Sequence, residues 1–570
     1  MVLRVWIISA IVAVPPMQST PEKTQYDGVG TLNFFKDDAE HHVPVVQFLK
    51  PESPTIGPAS HDERIQWSDW FWDRMFPDEH ARLHRNISTG YWTDHFVGLG
   101  SRSQIFASIA ATITRKTGHK VTLPPTHSMT ELSATRRGLL KTLPASHGPQ
   151  HLYDDIRRRL PGDVLESLKA MKPHGKSLLV SKKHANTKMC ALVSQSFTER
   201  RAECCSAPCE LCGSLCPTIC KPIDGTPEWW SGCSAGVPCV DCSQMNQLNP
   251  GDAGRAVSAS HTFYEERSCA NEDLIFVECT RKSNAAAQLK RACPSYDVKR
   301  CFLDGKMTGD SYPRPRMTAV ALHPRVGLVR ELEPYLQRAG ATPPFPLAGF
   351  FDSTAEEHAV QLEHLAQKRV VPVSGELSYE DTWMPSQRAY FQEYLEYFDR
   401  RISQGYMLPT DTKIDDLDHT PRASWGRAVA DTGNNNMLSA ITHGTIVNCD
   451  TKQQMTCFDL ARIHTWPTTK NQIEQVNGLF DFMDCIKKKI ITPSDLMALI
   501  GDGWVLRTIG SFLMFILGNM EFKEQHRPVI ALTPSPPRRK RQRPTTPGSP
   551  DSVLTITISS DSESEMVSSG

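Results

Sequence analysis

A thiol, a carboxylate and two arginines fall in order along this chain, each beside a short apolar run. Cys239 follows a proline in Gly232-Cys-Ser-Ala-Gly-Val-Pro-Cys-Val-Asp-Cys-Ser243, behind the small residues Ser234-Ala235-Gly236. Glu278 closes the run Leu274-Ile-Phe-Val277, and Arg314 and Arg316 lead into Met317-Thr-Ala-Val-Ala-Leu322. A cysteine attacks as its thiolate, which forms in a polar, electropositive, partly open setting. A carboxyl group can hold or donate a proton beside it, and a guanidinium can bind a developing anionic oxygen. These types in this order suit a nucleophile site. Taken alone, the Pro-Cys pair means little, and a buried or idle thiol is its ordinary reading.

Such groups need a scaffold that brings them to one edge. A Pro-Cys turn after a strand displays its side chain at the strand's carboxyl end, where open α/β sheets bind ligands. Phe276-Val277 and Thr318–Leu322 read as buried strands, short and apolar between polar turns. Across 255–325 strand-like and helix-like segments alternate, which predicts an α/β sheet. Upstream, Asp62–Phe76, Gln104–Lys116, Ser128–Leu143 and Leu152–Met171 read as helices, and Asp94-His-Phe-Val-Gly-Leu-Gly-Ser101 interrupts them with two glycines. Further helices are expected at Pro385–Gln404, Ile473–Lys489 and Ile509–Met520.

The order of the motifs resembles the DNA (cytosine-5)-methyltransferase family in a divergent form. Pro238-Cys239 with Ser243 is similar to the family's nucleophile turn. Val277-Glu278-Cys279-Thr280 keeps the glutamate of its Glu-Asn-Val strand end and lacks the asparagine. Arg314 and Arg316 fit its Gln-x-Arg-x-Arg motif without the glutamine. Asp459-Leu-Ala-Arg-Ile-His-Thr-Trp-Pro467 resembles its later helix motif. Ile500-Gly-Asp-Gly-Trp-Val-Leu-Arg-Thr-Ile-Gly510 resembles its Gly-Asn turn, with Asp502 where asparagine is usual. Phe96-Val-Gly-Leu-Gly100 has the spelling of its Phe-x-Gly-x-Gly cofactor turn, though it lies about 140 residues before Cys239.

The resemblance implies a fold, a cofactor and a reaction. The fold is α/β: a mainly parallel, methyltransferase-like (Rossmann-type) sheet with an irregular recognition region, a helical N-terminal segment and a disordered C-terminal tail. The cofactor is S-adenosyl-L-methionine, bound through Phe96, Gly98 and Gly100 and through Gly501, Asp502 and Gly503. Cys239 attacks cytosine C6, Glu278 holds N3, and Arg316 with Arg314 binds O2, so that C5 becomes enamine-like and takes a methyl group. The base must leave the duplex for this, so base flipping in DNA is implied, with RNA open as the polymer. The alternative is an inactive relative or a zinc-bearing nucleic-acid-binding protein, favoured by the departures at Cys279, Asp502 and the missing glutamine.

Zinc is the rival use of these thiols. Cys205, Cys209, Cys212, Cys216 and Cys220 crowd one short stretch beside Cys204. Cys209-x₂-Cys212 with Cys239-x₂-Cys242 could also make a tetrahedral site and remove Cys239 from catalysis. Seventeen cysteines at irregular spacing do not resemble a disulfide-stapled module and fit a reducing compartment.

At 570 residues the chain exceeds one core. Its expected parts are a poorly ordered segment (1–60), the helical region (61–190), a cysteine-rich segment with the catalytic core (190–325), a recognition region (326–435), the rest of the core (436–526) and a disordered tail (527–570). Net charge is zero, so attraction to nucleic acid must come from local patches. Pro537-Arg-Arg-Lys-Arg-Gln-Arg-Pro544 reads as a nuclear import signal or nucleic-acid clamp, and predicts a nuclear address. Val553-Leu-Thr-Ile-Thr-Ile558, followed by acids, resembles a SUMO-interacting motif that would add a strand to its partner. Arg4 and the apolar run Val5–Val14 give a weak secretory alternative. That run and Ser511–Leu517 are both too short to span a bilayer, so no membrane partner is expected.

Overall fold

The computed structural model describes residues 45–46, 60–171, 179–219, 229–238, 257–281, 283–310, 314–339, 345, 347–370, 377–418 and 445–523. Its centre is an eight-stranded sheet. In chain order the strands are β1 (Val45–Val46), β2 (Gly90–His95), β3 (Thr126–Thr130), β4 (Pro149–Tyr153), β5 (Trp230–Gly236), β6 (Leu274–Thr280), β7 (Asp297–Leu303) and β8 (Arg316–Leu322). Across the sheet they lie in the order β1-β7-β8-β6-β5-β2-β3-β4. All neighbouring pairs are parallel except those of β8, which runs against both β6 and β7. The expected mainly parallel Rossmann-type sheet is present.

The chain steps outward from β2 to β3 and β4, then returns to place β5 on the other side of β2. This reversal is a topological switch point, and the carboxyl ends of β2 and β5 flank the crevice it leaves.

The stretch 61–190, expected to be helical, departs from expectation in a way that matters for the site. It supplies β2, β3 and β4. The expected helix Ser128–Leu143 divides into the end of β3, a loop at Glu131, and a helix over Ala134–Leu140. The expected helix Leu152–Met171 begins in β4, passes through a short 3-10 turn at Ile156–Arg159 and becomes α-helical at Gly162–Ala170. Polar residues hid these strands, because their partners are also buried. Asp94 in β2 accepts both Nε and Nη2 of Arg102, at 3.0 and 2.6 Å, and the Ser234 hydroxyl of β5 at 2.7 Å. Arg102 also donates to Thr126 of β3 at 2.6 Å. Behind the sheet Arg159, Glu266, Arg267 and Glu272 form a fully buried ionic cluster in which Thr93 donates to Glu272. A buried charge survives only when paired in this way.

Of the two apolar clusters that cover the sheet, the larger lies on the opposite face. Its axis is helix Leu506–Asn519, buried along its whole length and packed against Trp67–Trp72, Pro77–Thr89 and Ser101–Thr117. Ser511–Leu517 is thus part of a core helix. No single helix among the described residues is long and apolar enough to cross a membrane. The region 326–435 contributes helices Ala355–Arg369 and Pro385–Ser403, the second starting on proline at its first turn as expected.

Candidate active site

The crevice has two sides. On one, β2 runs into the turn Phe96–Gly100 and then into α1 (Ser101–Thr117). A strand therefore leads directly into the turn. Phe96, Gly98 and Gly100 have φ of 55°, 59° and 72°, the left-handed region that glycine enters without penalty. A side chain at Gly98 would meet no atom within 4 Å, so the turn lies open at that point. Its loop is pinned from β3: Val97 N–H donates to Thr130 O at 3.3 Å, and Gly98 N–H to Glu131 Oε2 at 2.9 Å. Glu131 is the acid at the next strand's end. Its other oxygen accepts Ser133 N–H at 3.0 Å, and each oxygen keeps a further lone pair. Glu131 carries no sequence signal of its own, because the helix expected over Ser128–Leu143 runs across it.

The Gly501–Gly503 segment closes this side. Asp502 pairs with Arg136 at 2.5 Å, and Arg136 also lies 3.9 Å from Glu131. Gly503 is seated beside Ser101, the first residue of α1, and Trp504 beside Gly236 at the end of β5. Gly236 also abuts the Phe96 carbonyl. Phe96, Gly98, Gly100, Gly501, Asp502 and Gly503 therefore gather around one crevice.

On the other side are β5, β6 and β8. Gly236 is in register with Glu278, and Thr318 is opposite Glu278 across β8. Glu278 and Arg316 form an ion pair, Oε1 to Nε 2.8 Å, with side chains 10% and 20% exposed. The pair is partly shielded yet reachable. Cys239, with Cys242 and Ser243, lies outside the described residues. The chain is described up to Pro238, and β5 ends at Gly236, in register with Glu278.

Arg314 departs from its expected place. Its Nη2 donates to the carbonyls of Gly501 at 2.6 Å and Gly503 at 2.9 Å, and the residue is buried. It joins the two sides of the crevice as a positioning residue, leaving Arg316 as the guanidinium beside Glu278. His464, from the Asp459–Pro467 motif, is fully buried, and its basicity is driven well below the ordinary range by that burial and by nearby Arg314 and Arg316. Neutral histidine there adds no third charge.

The thiols sort differently from the expectation. Cys209, Cys212 and Cys216 come together with His151 of β4, their ligand atoms all within 4.8 Å of one another. Cys205 is outside this group, and burial raises its thiol pKa. Cys220 lies outside the described residues. His151 had no sequence signal, being 58 residues before the first of these cysteines.

No protein-family model and no curated protein matches this sequence. Among solved structures, Dnmt2 methyltransferase of S. pombe aligns over 75% of this chain and 98% of its own, at 10% identity and TM-score 0.35. A Spodoptera frugiperda DNMT2 variant aligns over 75% and 99%, at 9% and 0.33. A putative DNA modification methyltransferase encoded within a prophage (E. coli) aligns over 73% and 98%, at 11% and 0.32. The fold assignment rests on the strand order and directions given above.

Proposed function

We propose that this protein is an S-adenosyl-L-methionine-dependent methyltransferase that acts on C5 of cytosine in DNA. The observation that carries the reading is the Glu278–Arg316 pair, with Glu278 in register with Gly236 at the end of β5, where Gly236 abuts the carbonyl of Phe96 in the glycine turn of β2. The residues on the β2 side fit the cofactor. The open Gly98 turn lets a ligand approach the backbone, Glu131 has lone pairs left for ribose hydroxyls, and the amino end of the long helix α1 favours a carboxylate. When bound there, S-adenosylmethionine supplies an electrophilic methyl group.

The chain's own residues do the rest. The Cys239 thiolate adds to cytosine C6, and Glu278 delivers or holds a proton at N3 while that bond forms. Arg316 orients Glu278 and binds O2, stabilising charge that grows on the ring. Loss of the C5 proton after transfer allows the C6–S bond to break and returns Cys239. Shielding of the Glu278–Arg316 pair strengthens both interactions at the base. The basic run Pro537–Pro544, outside the described residues, supports a nuclear address and contact with phosphates.

The reading is tested by incubating the full chain with S-adenosylmethionine and cytosine-containing DNA and locating any transferred methyl group by nucleoside mass spectrometry. 5-Methylcytosine that disappears with Cys239→Ser is expected. Methylation at another atom, or 5-methylcytosine formed equally well by the variant, would refute it.

A further inference from the structure

The quartet His151, Cys209, Cys212 and Cys216 belongs to neither side of the crevice. His151 lies on β4, the edge strand of the sheet. The cysteines lie on a small antiparallel hairpin, Ser206–Pro208 with Leu215–Pro217, and on the turn between its arms. That turn closes through Cys209 N–H to Ser214 O and Gly213 N–H to Cys209 O, both 2.9 Å, with Gly213 at φ 66°. The Cys-x₂-Cys-Gly turn thereby aims Cys209 and Cys212 the same way.

The spacings match a metal-centred tetrahedron. With Zn–S about 2.3 Å and Zn–N about 2.0 Å, tetrahedral angles put sulfur and nitrogen about 3.5 Å apart. Here Nδ1 of His151 is 3.5 Å from Sγ of Cys212 and 3.8 Å from Sγ of Cys209. A thiol–imidazole hydrogen bond explains one such contact. It does not explain three sulfurs of one hairpin gathering with a ring nitrogen from another chain segment, all within 4.8 Å of one another. Among the described residues every cysteine is free of disulfide bonds.

We propose that His151, Cys209, Cys212 and Cys216 bind one zinc ion in a structural site that clamps the hairpin to the edge of the sheet. Four protein ligands complete the coordination, leaving no open position for water activation. The clamp has a mechanical object. Glu210, between two ligands, donates its N–H to Leu152 O of β4 at 2.8 Å and takes Arg137 and Lys141 at 2.6 and 2.8 Å. Arg137 in turn donates to the carbonyls of Glu131 and Leu132 at 2.9 and 2.5 Å. Zinc thus holds the loop that carries Glu131. This last consequence rests on the methyltransferase reading; the metal site does not.

The full chain, purified under reducing conditions without chelator, is expected to carry about one zinc per chain by plasma mass spectrometry. Cobalt(II) exchanged into it should show thiolate charge-transfer bands and tetrahedral d–d bands. Cys212→Ser, which alters the exposed ligand, should lose the metal while circular dichroism confirms a folded chain. His151→Cys should keep zinc and shift the cobalt spectrum toward all-sulfur coordination, which a merely structural histidine would not do. Cys205→Ser, Cys239→Ser and Cys242→Ser should keep full zinc. Absence of metal with no cobalt spectrum would overturn the site, as would zinc retained in full by Cys212→Ser or lost in Cys239→Ser. None of these readouts depends on methyl transfer.

Discussion

The two sides of the crevice are built by different means. The β2–β3 side is a main-chain device: a turn with three left-handed residues, fixed by Thr130 and Glu131 and buttressed by the buried Asp94–Arg102 pair. The β5–β6–β8 side is a side-chain device: Glu278 and Arg316, diagonal neighbours across β6 and β8 joined as an ion pair. A ligand on the first side is recognised through backbone shape. A ligand on the second is recognised through charge and proton position. Arg314 crosses between them, starting at the approach to β8 and ending on the carbonyls of Gly501 and Gly503.

This contrast yields four tests, the largest effect first. Cys239→Ser should reduce methyl transfer by about 10⁴-fold or more, because removing a nucleophile leaves only binding and electrostatics. Its affinity for S-adenosylmethionine by calorimetry should match the parent. A similar loss of cofactor affinity would mean the two sides are one site. Glu278→Gln should lower kcat by roughly 10²–10³-fold, the range for a positioned acid, with cofactor affinity again unchanged.

Gly98→Asp acts on the other side. An L-residue in the left-handed region costs about 1–2 kcal/mol of fold stability, in the free and bound protein alike. The added bulk and charge at the open turn should also lower cofactor affinity roughly tenfold, a loss of about 1.4 kcal/mol. Binding of cytosine-containing DNA, measured by fluorescence anisotropy without cofactor, should not change. Arg314→Lys should have the smallest functional effect. It loses the forked donation to two carbonyls, where a charged hydrogen bond contributes about 1.5–3 kcal/mol. A lower Tm with a modest rise in the cofactor's Kd, and little change in kcat, would mark Arg314 as the joint. A collapse of kcat at saturating cofactor would place it with Arg316 instead.

Legibility in the sequence divides along the same line. The β6 and β8 strands announce themselves as apolar runs, Leu274–Val277 and Met317–Leu322, because both faces of the sheet cover them. Their charged ends, Glu278 and Arg316, could therefore be picked out and are brought together. β2 and β3 could not be read this way. Thr93, Asp94, His95, Thr126 and Ser128 are all buried, yet none is apolar. Their burial depends on partners such as Arg102, Ser234 and Glu272, which come from other segments. Hydrophobic periodicity carries no record of such pairing. The glycine turn was legible as spelling but not as a turn after a strand. Glu131 was lost with its strand, and Arg314 looked like Arg316's twin until its carbonyl partners were placed. His151 illustrates the same limit for metals, since a ligand brought in by the fold leaves no spacing signal beside Cys209-x₂-Cys212. Cys239 is the reverse case: legible in sequence, with its structure beyond the described residues.

The central claim is that Cys239 attacks a cytosine held by Glu278 and Arg316. It is tested most directly by trapping on mixed-sequence DNA in which every cytosine is 5-fluorocytosine. Fluorine at C5 blocks the proton loss that releases the enzyme. With S-adenosylmethionine present, the full chain should form a denaturation-resistant adduct, peptide mapping should place the bond at Cys239, and Cys239→Ser should form none. A folded, cofactor-binding chain that gives no adduct, or one bonded through another cysteine, would contradict the account.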